Sequence, residues 1–174
     1  MASLAIILNG TSSSGKTSIA QEIQRQWKGP ILHVAVDDFL AMLGDRYPDN
    51  QANRNNAIMF CIANHYAFLR RFRNSEFPAI VDTVLWQDEF RTETLAALEG
   101  IPLFLVGVKC SLGELERREK ERGDRNLGIA RKQYLPVHKD FQYDLEIDTE
   151  AVSATQAAAS IISRIRVKFP DYAP

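Results

Sequence analysis

The apolar stretch "LAIILN" (residues 4–9) runs directly into "GTSSSGKT", from Gly10 to Thr17. The eight residues match G-x-x-x-x-G-K-[ST] in full, with a strand-like run before them and a helical pattern after them, the context that motif requires. Gly10 and Gly15 can take backbone angles that turn successive N–H groups inward, forming a nest for anionic oxygens. The start of the following helix adds the positive end of its dipole. Lys16 reaches the β- and γ-phosphates of a nucleotide, and Thr17 offers its hydroxyl to Mg²⁺. Thr11, Ser12, Ser13, Ser14 and Ser18 complete the lining. A flexible linker would explain the glycines and serines but not Lys-Thr at a helix start. The stretch is expected to cradle the phosphates of a nucleotide.

The remaining pattern suits such a loop. "LAIIL" (4–8), "ILHVAV" (31–36), "AIVDTVLW" (79–86) and "IPLFLVGV" (101–108) are short unbroken apolar runs, as in parallel strands buried on both faces. "YDLEID" (143–148) is a fifth candidate with more alternation. Between them Ile19, Ile23 and Trp27 recur every fourth residue, and Gly29-Pro30 ends that helix. Residues 54–73 carry Ile58, Ile62, Tyr66, Leu69 and Phe72 at mixed three- and four-residue spacing. Further helices are expected over "DEFRTETLAALEG" (closed by Gly100), over "SLGELERREKERG" (Ser111 to Gly123) and from Glu150 to about Lys168. Strands alternating with helices imply right-handed crossovers and a three-layer α/β fold. The 174 residues read as one P-loop kinase-like domain, with a substrate-side excursion around 43–74 and a lid around 115–133.

Several side chains then have chemistry to do. Ligands of an open α/β sheet gather at the carboxyl ends of its strands. Asp37 and Asp38 are expected to close the second strand. If that strand lies near the first, their carboxylates face the γ-phosphate, where Asp37 can orient an acceptor hydroxyl and take its proton. The same "VDDF" would also suit a helix N-cap. Phe39, just beyond, falls where an acceptor would be gripped. Asp82 follows "AIV" as a Walker B acid does, holding the shell of Mg²⁺ through water or pairing with Thr17. Residues 117–132 hold seven of the chain's 21 Lys and Arg. They read either as a solvated helix of i,i+4 ion pairs or as a lid bringing Arg122 and Arg125 onto phosphates. His33 reads as a satisfied core residue and His65 as a helix residue. His138 reads as peripheral to the site, and no metal-ligand spacing occurs among the three.

Composition excludes other classes. A net charge of −1 gives no basic field for nucleic acid, and 45% hydrophobic content is that of an ordinary globular chain. Cys61 and Cys110 have no CxxC spacing and read as buried thiols of a reducing, cytoplasmic compartment. "MASLAIIL" lacks a basic region before its apolar residues and stops at Asn9-Gly10, so neither a leader nor a membrane span is expected. N-K-x-D and D-x-x-G signatures of GTPases are absent.

"IILNGTSSSGKTSI", "VAVDDFL", "ERGDRNLGIARKQY" and "VHKDFQYDLEIDT" occur in this order across most of the chain. Together they resemble the chloramphenicol phosphotransferase family, P-loop enzymes that phosphorylate an antibiotic's hydroxyl with ATP. The resemblance implies the five-stranded parallel sheet of nucleotide kinases flanked by helices, Asp37 as general base, Lys16 and Thr17 on phosphate and magnesium, Arg122 and Arg125 in a lid, and an adenine site near "DTEAVSATQ". It departs after Asp38, which replaces a small hydroxyl residue. The family's longer glycine-rich insert is missing there, and "LGDRYPDNQANRNN" is polar. The donor side of the resemblance therefore carries over, and the acceptor stays open: a small hydroxylated molecule. A metabolite or nucleotide kinase of the same fold and a nucleotide-binding regulator without an acceptor are the alternatives. A homo-oligomer is compatible with either.

Overall fold

All five apolar runs form strands of one parallel sheet in the computed structural model, which describes residues 3–44, 51–122 and 127–172. The strands are β1 (Ala5–Asn9), β2 (Leu32–Ala35), β3 (Ala79–Thr83), β4 (Leu103–Lys109) and β5 (Leu145–Asp148), in the order β2-β3-β1-β4-β5. The second strand therefore lies beside β3 and not beside β1. β1 is the central strand, flanked by β3 (Ile7 across from Val81) and β4 (Ile7 across from Leu105). Chain order reverses at β1, which sets the crevice at its carboxyl end.

Burial on both faces explains the unbroken apolar runs. Leu4, Ile6 and Leu8 point to one layer, where they meet Ile19 and Ile23 of α1 (Lys16–Gln26) and Ala158, Ile161 and Ile165 of α7 (Ala154–Lys168). Ala5 and Ile7 point to the other layer. They meet Leu69 and Phe72 of α3 (Gln51–Phe72), Ala97 of α4 (Asp88–Ala97), and Leu98 just beyond it. The second half of the polar-led segment 43–74 thus ends in the core. α7 begins at Ala154, not at Glu150, because its N-cap Ser153 forms a reciprocal capping box with Gln156.

Among the described residues two short α-helices were not expected: α2 (Val36–Ala41) and α6 (Ile129–Tyr134), the latter following α5 (Leu112–Arg122). α2 changes the placement of the acidic pair. Asp37 and Asp38 lie in its first turn, and β2 has already ended at Ala35. Both cysteines are free and buried, and burial pushes the Cys110 thiol up from its ordinary value. Among the described residues no helix is long and apolar enough to cross a membrane.

Candidate active site

The glycine loop leaves β1 at the sheet's centre and enters α1. Its left-handed residues are Ser13 (φ 63°) and Gly15 (φ 95°). Gly10, expected to share that role, is needed for a different reason. A Cβ there would lie 2.3 Å from the Val108 carbonyl oxygen of β4, so only glycine lets the loop leave the sheet at this point. Ser12 donates its backbone N–H to Gln133 Oε1 of α6 at 2.8 Å. Lys16 is buried, and its Nζ donates to the carbonyls of Gly10 (3.0 Å) and Thr11 (2.8 Å), which centres the ammonium under the loop. The buried hydroxyls of Ser13 and Ser14 have no hydrogen-bond partner among the described residues. Orphan donors beside a caged ammonium fit a bound anion.

A cleft of about 440 Å³ opens over this loop, a size suited to a small ligand. Ser12, Ser13, Gly15, Lys16, Thr17 and Ser18 form its floor, and Asp37, Asp82, Arg118 and Arg122 stand around it. Thr149, Val152, Ser153, Ala154 and Ala157, from the end of β5 into α7, make a less charged wall. This is the "DTEAVSATQ" region, brought beside the loop.

Asp82 is the acid at the centre. Its Oδ2 accepts the Thr17 hydroxyl at 2.7 Å. Burial pushes its carboxyl up, but His33, the Lys16 ammonium and the Thr17 hydroxyl outweigh burial and hold it below the usual carboxylate value. His33 Nε2 stands 3.6 Å from Oδ2, too long for a hydrogen bond and close enough to act through charge and dipole. The expectation of a satisfied core histidine is corrected: His33 belongs to neither core layer, and its Nε2 has no hydrogen-bond partner among the described residues. Residues present at this spot fit a hydrated divalent cation: a threonine hydroxyl whose proton is engaged and a carboxylate that stays ionised.

Asp37 reaches the cleft from the first turn of α2 and is exposed. Asp38 is exposed too, but it does not line the cleft. Nor does either cap the helix, whose N-cap is Ala35. Phe39 turns away into the α2–α3 contact, edge-on to His65 (5.2 Å) and Phe68 (6.0 Å). The gripping role expected of Phe39 therefore has no support from its position. His65 beneath it is buried, its ring nitrogens have no hydrogen-bond partner among the described residues, and burial lowers it to about 4.

The basic segment carries both surface ion pairs and arginines that line the cleft. Arg117 pairs with Glu114 and Glu121 as on a solvated helix, and Glu114 is held down to about 2 by Arg117 and Arg118. Arg118 and Arg122 nevertheless face the cleft, one turn apart. Arg118 is fixed there: Nε donates to Glu114 Oε1 (2.8 Å), Nη1 to Thr149 Oγ1 (3.1 Å) and Nη2 to the Thr149 carbonyl (3.2 Å). Arg125 lies outside the described residues. Glu119 is buried and caps α6, accepting the N–H groups of Gly128 (2.7 Å) and Ala130 (3.0 Å). Arg118 was missed, although its i,i+4 relation to Arg122 puts both on one helix face. Glu119 and Gln133 had no local signal.

Asn9 anchors the loop from below. Its Nδ2 donates to the Val137 carbonyl (2.8 Å) and to Tyr143 Oη (2.7 Å), and its Oδ1 accepts the Leu85 N–H (2.9 Å). Tyr143 Oη meets His138 Nδ1 at 2.8 Å, so His138, which does not line the cleft, joins the support at the site's periphery. Burial, with Lys109 and Lys16 nearby, lowers His138 to about 4, and burial pushes Tyr143 up to about 12.

Known proteins share this design. A curated relative in Mycobacterium tuberculosis, which carries the provisional name O-phosphotransferase, is 32% identical over 90% of this chain and 79% of its own length. The APS kinase of Mycobacterium tuberculosis, solved with AMPPNP and APS, superposes with a TM-score of 0.67 over 95% of this chain and 98% of its own, at 18% identity. A gluconokinase from Sinorhizobium meliloti gives a TM-score of 0.63 over 98% and 97%, at 15% identity. The solved structures establish the fold as that of P-loop kinases. Residues 3–166 match the chloramphenicol phosphotransferase-like proteins. The chain belongs to the chloramphenicol phosphotransferase-like family, a phosphotransferase with the P-loop kinase fold.

Proposed function

We propose that the protein transfers the γ-phosphate of ATP to a hydroxyl of a small molecule, with Mg²⁺ as cofactor. The observation that carries this reading is the convergence of Lys16, Thr17, Asp82, Asp37 and Arg122 on one cleft over the glycine loop. A pure nucleotide sensor needs the first three and has no use for an exposed carboxylate and an arginine facing them.

Each residue then has a role. Loop N–H groups and Lys16 bind the β- and γ-phosphates, and the wall from Thr149 to Ala157 takes the base and ribose. Thr17 and Asp82 hold Mg²⁺, which neutralises charge on the phosphate oxygens when bound. Asp37 accepts the proton of the acceptor hydroxyl as that oxygen bonds to phosphorus and ADP leaves. Arg118 orients the nucleotide, and Arg122, with Arg125, meets the charge that develops during transfer.

The acceptor side is this chain's own. In sequence, the polar stretch after Asp38 stands where the family carries its glycine-rich insert, so chloramphenicol is one candidate among hydroxylated molecules. Acceptor-dependent ADP release from Mg·ATP, measured over a panel of hydroxylated antibiotics and metabolites, tests the reading. One or more acceptors that raise ADP release and appear as phosphate esters support it. Tight ATP binding with no acceptor-dependent release would favour the regulator instead.

A further inference from the structure

Ala35 closes β2 directly across from Asp82 in the β2–β3 register. His33, two residues earlier, shares Ala35's face of the sheet. Because Ala35 carries only a methyl group, nothing on that strand blocks the imidazole from reaching diagonally toward Asp82, and Nε2 stands 3.6 Å from Oδ2. This nitrogen is shielded from solvent and has no hydrogen-bond partner among the described residues. An orphan polar atom costs stability and calls for an explanation. His33 does not line the cleft, so it stands behind Asp82 and touches no ligand. The same Oδ2 is held on its other side by the Thr17 hydroxyl at 2.7 Å.

We propose that His33 is a positioning residue for the cation site, acting through Asp82 on Thr17. The inference rests on the reading of Thr17 and Asp82 as the magnesium-holding pair. A threonine hydroxyl that gives its proton to a carboxylate keeps its lone pairs for a cation, and the direction of those lone pairs follows the carboxylate. Asp82 has two rotatable bonds, and one hydrogen-bonded neighbour does not fix both. With its proton on Nε2, the imidazole directs an N–H dipole at Oδ2 from 3.6 Å, a second hold through charge and dipole that keeps the carboxylate and the hydroxyl in one arrangement. Outer partners of this kind tune metal affinity without touching the metal.

Calorimetric titration of ADP, with excess Mg²⁺ and with EDTA, separates the roles in wild type, His33→Leu and His33→Gln. The wild type binds ADP more tightly with Mg²⁺. His33→Leu keeps the shape and loses the N–H; it forfeits about tenfold or more of that magnesium-dependent gain while its metal-free ADP affinity stays unchanged. His33→Gln keeps an N–H of similar reach and recovers most of the gain. If His33→Leu does not melt cooperatively, His33→Asn, polar but too short to reach Asp82, replaces it with the same expected loss. A full magnesium gain in His33→Leu or His33→Asn overturns the proposal, as does a glutamine variant as defective as the leucine one. No magnesium gain in the wild type would overturn the reading of the cation pair as well, so the two failures are told apart.

Discussion

The Thr17 hydroxyl donates to Asp82 Oδ2 at 2.7 Å, joining the start of α1 to the end of β3 across the sheet's central crevice. With Lys16 held by the Gly10 and Thr11 carbonyls, the part of the site proposed to meet phosphate is already fixed by the protein's own contacts. Such preorganisation lets charged groups act on a ligand without first reorganising. Lys16→Ala removes the cation at the loop's centre. ATP binding weakens and turnover falls on the order of 10²-fold or more, as calorimetry and ADP release would record. Unchanged affinity together with unchanged turnover would reject the cradle.

Arg122→Ala is expected to lower turnover by about 10²-fold while changing ATP affinity much less. Contacts with charge that grows during transfer contribute to the rate and little to ground-state binding. Comparing kcat with the ATP dissociation constant checks this. Equal losses in both would make Arg122 a simple phosphate anchor.

Acid stability tests the buried His65. Folded His65 stays neutral down to about pH 4, whereas the unfolded chain protonates near 6.5. Between those values the unfolded state binds more protons, so stability rises with pH and is lost as pH falls from about 6.5 to 4. The share of His65 is at most about 3 kcal/mol. Denaturant melts of wild type and His65→Leu across this range should diverge, the variant losing less on acidification. His138 contributes with the same sign and remains in both proteins.

Glu119→Ala leaves the N–H groups of Gly128 and Ala130 without their acceptor. A loss of about 1–3 kcal/mol is expected, visible as a lower Tm, with Glu119→Gln retaining part of it because an amide oxygen can still accept. A variant that melts like the wild type would show that solvent satisfies both groups.

The sheet was legible because parallel strands buried on both faces leave unbroken Ile, Val and Leu runs, and the loop because its spacing is rigid. Strand order was not, since neither β2 nor its neighbour β3 encodes which strand it will pair with. α2 was hidden for a local reason: "VDDFLA" continues an apolar strand and is only six residues long, so Asp37 seemed to end β2. Other features depend on contacts far apart in sequence. Gly10 is glycine because of Val108, Glu119 is buried because α6 folds back on it, and His33 stands near Asp82 because β2 pairs with β3. Arg118 was visible in principle, one turn from Arg122, but lay within a run whose other charges do pair on the surface.

Transfer of the γ-phosphate to a small-molecule hydroxyl is the central claim, and Asp37 is the residue that makes it chemical. Asp37→Asn keeps shape and an acceptor oxygen and removes basicity, so transfer should slow by about 10²–10⁴-fold with ATP affinity nearly intact. The direct measurement is a single turnover of [γ-³²P]ATP on excess protein with Mg²⁺ and pooled hydroxylated molecules, run for wild type and Asp37→Asn. The label is predicted to leave ATP and appear in a phosphate ester, quickly with the wild type and far more slowly with the variant. Label that stays in ATP, or that leaves only as inorganic phosphate at one rate with and without the pool, would contradict the account.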